Sequence, residues 1–249
     1  MASINGVGLI SAADLYVTTA APGENMAIGQ LFYDTLNGKM FRYALAGASD
    51  LVIGNLLQES AEDTTYENMT VGTAGAVGDA FLQITNGTAT ITSAAFTGGS
   101  ISIYTAGTIT VGDEYTITGI TGTLTTGGAL KVYLDRPLRT ATTTSAKVVM
   151  KKSPWSGVIQ APATTQTGMA VGVAIYIIPA TQYGFVQTHG VCSVLSDGST
   201  FAVGSDLGTP SGTAGCVTVF AAGTTHQRVG VSREAAASAH CISAFLQID

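Results

Sequence analysis

Between residues 77 and 150 the chain repeats one pattern: a short run of alternating apolar and polar residues, then a turn. The runs are AFLQIT, ATITSAAF, SISIYT, TITV, EYTITGI, ALKVYL and AKVVMK. Alternation with a period of two sends one set of side chains to each face of a strand, so one face lies on a core and the other in solvent. The connectors carry Asn86-Gly87, Gly98-Gly99, Gly112-Asp113 and Gly127-Gly128, each a turn signature. Short strands at intervals of about 8–12 residues are the pattern of a sandwich or a barrel. Helix is disfavoured throughout, because glycine is abundant at 31 residues and strong helix formers are scarce. The expected fold is mainly β, in antiparallel sandwich or barrel domains.

The flanks read differently. Residues 1–24 carry only Asp14 and Glu24 and are rich in small side chains. They predict an extended arm with a strand near Leu15–Thr18, too poor in apolar pattern to fold alone. Such an arm is expected to be mobile in solution and to pair with a neighbouring sheet on binding. Residues 28–45 give a hairpin, IGQLFYD and MFRYAL around Leu36-Asn37-Gly38-Lys39, where Asn-Gly supplies the turn. The acidic stretch 59–70 reads as a linker, and Pro154, Pro162 and the polar run 163–168 mark a second boundary. These boundaries give three regions: 1–58, arm and hairpin module; 59–160, antiparallel β domain; 161–249, a small C-terminal β-barrel.

Two phrases in the last region resemble each other. Val171-Gly172-Val173 precedes Phe185-Val186-Gln187, and Val229-Gly230-Val231 precedes Phe245-Leu246-Gln247. They are either two related hairpins or a coincidence of β-rich sequence. Ser196-Asp197-Gly198-Ser199 predicts a hairpin turn between them, and residues 232–240 fit a loop or a turn or two of helix.

Only 10% of residues are charged, so the surface is built largely of Thr, Ser, Asn, Gln and Gly. Such a surface suits a protein packed against copies of itself. The net charge is −6 at pH 7, which disfavours whole-molecule attraction to DNA or anionic lipid. Lys39 and Arg42 are the only cations before residue 131, whereas Lys131, Arg136, Arg139, Lys147, Lys151 and Lys152 then occur within a short stretch opposed only by Asp135. No aromatic stacking residues are interleaved there, so a polar edge or subunit contact is expected in place of nucleic-acid binding. No basic n-region opens the chain, and Met169–Pro179, the longest apolar run, is too short for a membrane span. Expectation is therefore for no membrane partner and for a protein retained in the cytoplasm that makes it.

Chemistry-bearing groupings are few. The sequence has no GxSxG, HExxH, Walker or GxGxxG pattern. His189, Cys192, Cys216, His226, His240 and Cys241 all lie in the last quarter, and His189-x-x-Cys192 with His240-Cys241 has the residue types of a zinc site. Their predicted strand context favours cysteines packed as small hydrophobes instead. An odd cysteine count disfavours a disulfide framework. Asp113-Glu114 and Glu62-Asp63 are sequence neighbours, which in a strand point to opposite faces. Trp155, the single tryptophan, reads as a core anchor before a sugar platform. No catalytic, cofactor or metal residue is assigned, no cofactor is expected, and the chain is read as no enzyme.

Three blocks of the sequence carry a resemblance. Gly38-Lys39-Met40-Phe41-Arg42-Tyr43-Ala44-Leu45-Ala46-Gly47 with Gly54-Asn55-Leu56-Leu57-Gln58 forms the first. Tyr133-Leu134-Asp135-Arg136-Pro137-Leu138 with Ser153-Pro154-Trp155-Ser156-Gly157-Val158 forms the second. The third is Tyr183-Gly184-Phe185-Val186-Gln187-Thr188-His189-Gly190, leading to Leu195-Ser196-Asp197-Gly198. Together they resemble virion structural proteins of tailed phages, of the capsid decoration or cement type. The resemblance implies β-barrel or β-sandwich proteins that coat and stabilise an assembled capsid, with the major capsid protein and further copies of the chain (a homotrimer) as partners. It implies a place on the capsid surface and no active-site motif. The alternative is a tail or fibre-tip protein binding host surface glycans. Clustered exposed aromatics would favour that alternative, whereas aromatics here are 7% and mostly alternate inward.

Overall fold

The computed structural model describes residues 3–4, 7–87, 90–105, 112–221, 226–236 and 238–249. Among them the protein is mainly β, in two sheets with no long helix, as the alternation implies. The first strands are β1 (Ser3–Ile4), β2 (Val7–Leu9), β3 (Leu31–Asp34), β4 (Lys39–Ala46) and β5 (Leu56–Gln58). Next come β6 (Met69–Thr73), β7 (Phe81–Thr85), β8 (Ser100–Thr105), β9 (Gly112–Gly122), β10 (Ala129–Leu134) and β11 (Ala146–Lys151). The last are β12 (Ser156–Gln160), β13 (Ala170–Ala174), β14 (Tyr183–Leu195), β15 (Asp206–Gly208), β16 (Thr218–Val219), β17 (Arg228–Ser232) and β18 (Cys241–Gln247). They build two compact units: Glu62–Ser153, and Met1–Ala61 together with Pro154–Asp249.

The Glu62–Ser153 unit is a closed barrel in the order β10-β7-β6-β11-β8-β9, with every neighbour antiparallel. Alternate residues fill it, including Leu82 and Ile84 from β7, Ile101 and Ile103 from β8, and Leu130 and Val132 from β10. Two expectations change here. The supposed linker, 59–70, supplies the start of β6, whose Met69 and Val71 point inward, and a 3-10 turn at Thr64–Tyr66 that buries Tyr66. The described part of the run ATITSAAF is not a strand; Ser93–Phe96 forms one helical turn, α1. Ser93 explains why, since its Oγ donates to the Ile120 carbonyl and accepts from the Ile120 N–H, tying the turn to β9. Phe96 is thereby laid edge-on against Tyr66, with ring centres 4.8 Å apart. TITV at 108–111 lies outside the described residues.

The other unit joins the two ends of the sequence, so the division at 58/59 and 160/161 is corrected. The described residues of 161–249 form no barrel of their own, because their first strands pair with strands of the opening region. The pairings β4–β12, β12–β5, β5–β13, β13–β14 and β14–β4 return to their start and close a circuit; only β4–β12 is parallel. Every strand of the circuit contributes to one core: Ala44 and Ala46, Leu57, Val158, Val171 and Ala174, and Val186. The side chains are small because so few strands enclose a narrow interior. From this circuit the sheet runs on through β14–β18–β17–β15–β16 on one side and β4–β3–β2–β1 on the other.

The hairpin at 31–46 forms as expected, Asp34 pairing with Lys39. Gly38 alone takes a positive φ, 66°, while Asp34 fixes the loop by accepting from the Leu36 N–H and the Asn37 side chain. The two similar phrases pair as antiparallel strands but in different registers. Val173 lies opposite Gln187, whereas Val231 lies opposite Phe245, two places earlier in the phrase. Both glycines serve close approach: a Cβ on Gly230 would lie 2.2 Å from the Phe245 carbonyl oxygen, and one on Gly172 2.8 Å from that of Gln187. Ser196–Ser199 is a turn, held by Asp197 accepting from the Ser199 N–H, but it leads to no hairpin with β14.

The described part of the N-terminal segment packs on its own unit and is not a free arm. Its strands are Ser3–Ile4 and Val7–Leu9, the second parallel to β3, and not the stretch near Leu15–Thr18. Ile10 and Leu15 are buried among Phe32, Phe41, Tyr43 and Phe185. Phenol groups pin the chain beyond Leu15: Tyr176 Oη donates to the Val17 carbonyl at 2.8 Å, and Tyr43 Oη accepts from the Gly23 N–H at 2.9 Å. A burial pattern this sparse along the segment leaves no periodicity to read, which is why the sequence suggested an arm.

Candidate functional site

The histidines and cysteines of the last quarter do not converge. His189 packs edge-on against Phe245, His226 lies by Thr209, and His240 turns to the Ser238 carbonyl. Among the described residues no group of three or more His, Cys, Asp or Glu is placed to hold a metal. Cys192 and Cys216 are buried and Cys241 is exposed, all as free thiols. Burial pushes the Cys192 thiol up to about 12, against the opposing charge of Lys39. A thiol held that high is no nucleophile near neutrality. Burial also raises Cys216, helped by the charges of Asp197 and Cys241.

Cys192 and Cys241 do share a surface. With Lys39, Ile53, Ile175 and Gln187 they line an open cleft of about 470 Å³ beside the closed circuit. Its walls are mostly apolar, and Lys39 is its one cation. Next to it runs an aliphatic ledge. Leu51 and Ile178 form an antiparallel bridge, which sets Val52 and Ile53 alongside Ile177. These three side chains are 46%, 59% and 56% exposed. Exposed aliphatic residues standing together mark a contact surface more readily than the same residues scattered.

Trp155 has the anchoring role expected of it. Its ring packs against the circuit core, and the Arg42 guanidinium lies 4.7 Å above it. Arg42 also makes a two-pronged ion pair with Asp249, at 2.8 and 3.1 Å, and donates to the Gly29 carbonyl. Burial works against ionisation of Asp249, but the Arg42 hydrogen bond and charge outweigh it and hold the carboxyl below the usual range. The indole face is therefore covered by protein and is not free to stack on a ligand.

The basic band dissolves into separate contacts within the barrel unit. Lys151 reaches Glu62 at 2.6 Å and Glu67 at 3.0 Å, and Arg136 meets Asp135 at 2.9 Å. Arg139 pairs with the buried Asp113. Lys147 donates to Thr70, while Lys131 and Lys152 lie over the rings of Phe81 and Tyr66. A phosphate chain would have to compete with the carboxylates that hold Arg136, Arg139 and Lys151. Asp113 and Glu114 do point to opposite sides, the first buried and the second exposed.

The expectation that aromatics mostly alternate inward fails at Tyr16 and Phe245, which are exposed, and at one cross-strand pair of the barrel. On β7 and β10, Phe81 and Tyr133 occupy the polar phase of the alternation, together with Gln83 and Lys131. They pair directly across the two strands on the outer face, ring centres 5.9 Å apart. The signal was present in AFLQIT and ALKVYL, where each aromatic keeps step with a polar residue. No helix among the described residues is long and apolar enough to cross a membrane. Comparison with family models, with curated proteins and with solved structures finds no match to this chain.

Proposed function

We propose that this protein is a structural component of a tailed-phage virion that binds the outside of the assembled capsid and stabilises it. It acts without catalysis or cofactor, as a homotrimer whose partner is the major capsid protein. The observation that carries the reading is the ledge of Val52, Ile53 and Ile177 on a body in which Arg42, Arg136, Arg139, Lys151 and Arg228 are each paired with a carboxylate. That combination offers a rigid, weakly charged contact face and little field for nucleic acid. The resemblance, whose blocks fall on β4, β5, β10, β12 and β14, points to the same reading. A protein that binds only the assembled shell stabilises it by mass action over many sites. With Ile10 and Leu15 buried at home, the shell contact belongs to the β body in place of a loose arm.

The test is reconstitution on expanded, undecorated capsids, read by cryo-EM and by copy number. Decoration predicts copies comparable in number to the major capsid protein and density on the shell. Ile53→Lys and Ile177→Lys should leave the trimer folded and cut capsid occupancy at least tenfold. Copies comparable in number to a tail tip, or a monomer by light scattering, would overturn the reading.

A further inference from the structure

The outer face of the barrel carries an aromatic pair that the core does not use. Tyr133 is 37% exposed and stands directly between Phe81 on β7 and Gly119 on β9. The next outward row is Gln83, Lys131 and Thr121. β9 bulges here: Tyr133 faces Gly119 while the next residue, Leu134, faces Ile117, so Thr118 is extra. Bulges re-aim strands and gather at functional sites. At Gly119, the space a side chain would fill has no atom within 4 Å. The result is an open notch beside a tyrosine ring, bordered by an amide, an ammonium and a hydroxyl.

We propose that this face binds carbohydrate, with a sugar ring against Tyr133 and its edge in the Gly119 notch. Aromatic rings offer an apolar face to the C–H side of a pyranose and keep a polar tip for its hydroxyls. Gln83 and Thr121 supply hydrogen-bond donors and acceptors at the rim. Lys131 rests 4.9 Å over the Phe81 ring and is free to swing to a carboxylate, which favours an acidic sugar. A cross-strand aromatic pair also stabilises a sheet by itself, but that role needs neither the notch nor the bulge. The inference goes beyond capsid decoration and does not depend on where the protein sits on a virion.

Gly119→Val separates the two roles. The position is on a strand with free space around it, so a β-branched residue should fold at least as well as glycine. It would nevertheless fill the notch. The probes are tetragalacturonate and the neutral N-acetylglucosamine tetrasaccharide, titrated into the millimolar range against the full chain and followed by NMR. The expected result is shifts confined to Phe81, Gly119, Thr121 and Tyr133, at least tenfold weaker in Gly119→Val and Tyr133→Ala. Lys131→Ala should weaken only the acidic probe. No shift with either sugar, or shifts that survive Gly119→Val, overturns the proposal. So does protection of these residues by a second copy of the chain as protein concentration rises.

Discussion

The barrel and the two-ended unit are both built from strands, yet they are assembled in different ways. In the barrel every strand finds its neighbours within the same 92-residue stretch, Glu62–Ser153, all antiparallel, and its strands are half-buried. In the other unit, β4 pairs with β14 from the far end of the chain, and β5 sits between β12 and β13. There β5 and β13 are buried at every position. A barrel that closes on local strands can tolerate insertion into a host, because its core is complete without the flanking chain. The host unit instead depends on strands that meet only after the insertion has been bypassed. Gln58 opposite Ile159 shows how its two halves are brought together next to the insertion point.

The sharpest way to break this contrast is to place one charge in each core. Leu57 in β5 and Leu130 in β10 are both fully buried. Aspartate at either site buries an unpaired carboxylate, which should cost more than about 4 kcal/mol. Leu57→Asp is expected to erase amide-exchange protection in 1–61 and 154–249 and to expose Trp155, seen as a red-shifted emission, while 62–153 stays protected. Leu130→Asp should do the reverse and leave the tryptophan signal intact. Loss of protection everywhere in both variants would mean that the units do not fold separately.

The same contrast decides what could be read from sequence. SISIYT, EYTITGI, ALKVYL and AKVVMK appear as β8, β9, β10 and β11 because half-buried strands advertise themselves by alternation. β5 and β13 are buried throughout, so Leu-Leu-Gln and Ala-Val-Gly-Val-Ala show strand composition without a face. Nothing local says that Phe41 will lie opposite Gln187. The aromatic pair of the candidate sugar face was legible in principle, since Phe81 and Tyr133 keep step with Gln83 and Lys131. The aliphatic ledge was not, because it depends on Leu51 meeting Ile178.

A milder test bears on the N-terminal segment, the most weakly patterned part of the two-ended unit. Removing residues 1–16 deletes Ile10 and Leu15 from the aromatic cluster around Phe32 and Phe185. At about 1.5–3 kcal/mol for each buried aliphatic side chain, the loss should be about 3–6 kcal/mol. Chemical denaturation followed by Trp155 emission should show this as a lower midpoint for the two-ended unit, with barrel amides unaffected. An unchanged midpoint would restore the picture of a dispensable arm.

The smallest expected effect is electrostatic and sets one carboxylate of each unit side by side. Burial works against ionisation of Asp113, but hydrogen bonds from Thr140, Arg139 and Tyr115 and the Arg139 charge overcome it, so its carboxyl lies below the usual range. Asp249 is lowered in the same sense by Arg42. A carboxyl with a depressed folded value binds its proton more readily when the chain is unfolded. Each therefore stabilises the fold above the ordinary aspartate value, about 3.9, and the contribution is lost as pH falls through the folded value. Asp113→Asn should lower the barrel's melting temperature at pH 7, with the gap to the parent protein closing as the buffer is taken below pH 4. Asp249→Asn should do the same for the unit reported by Trp155. Arg139 is 80% exposed whereas the Arg42 side chain is 23% exposed. Water screens the first pair more, so the Asp249 gap should be the larger of the two. A gap that widens toward acid would mean that the ionised carboxylate was not the stabilising form.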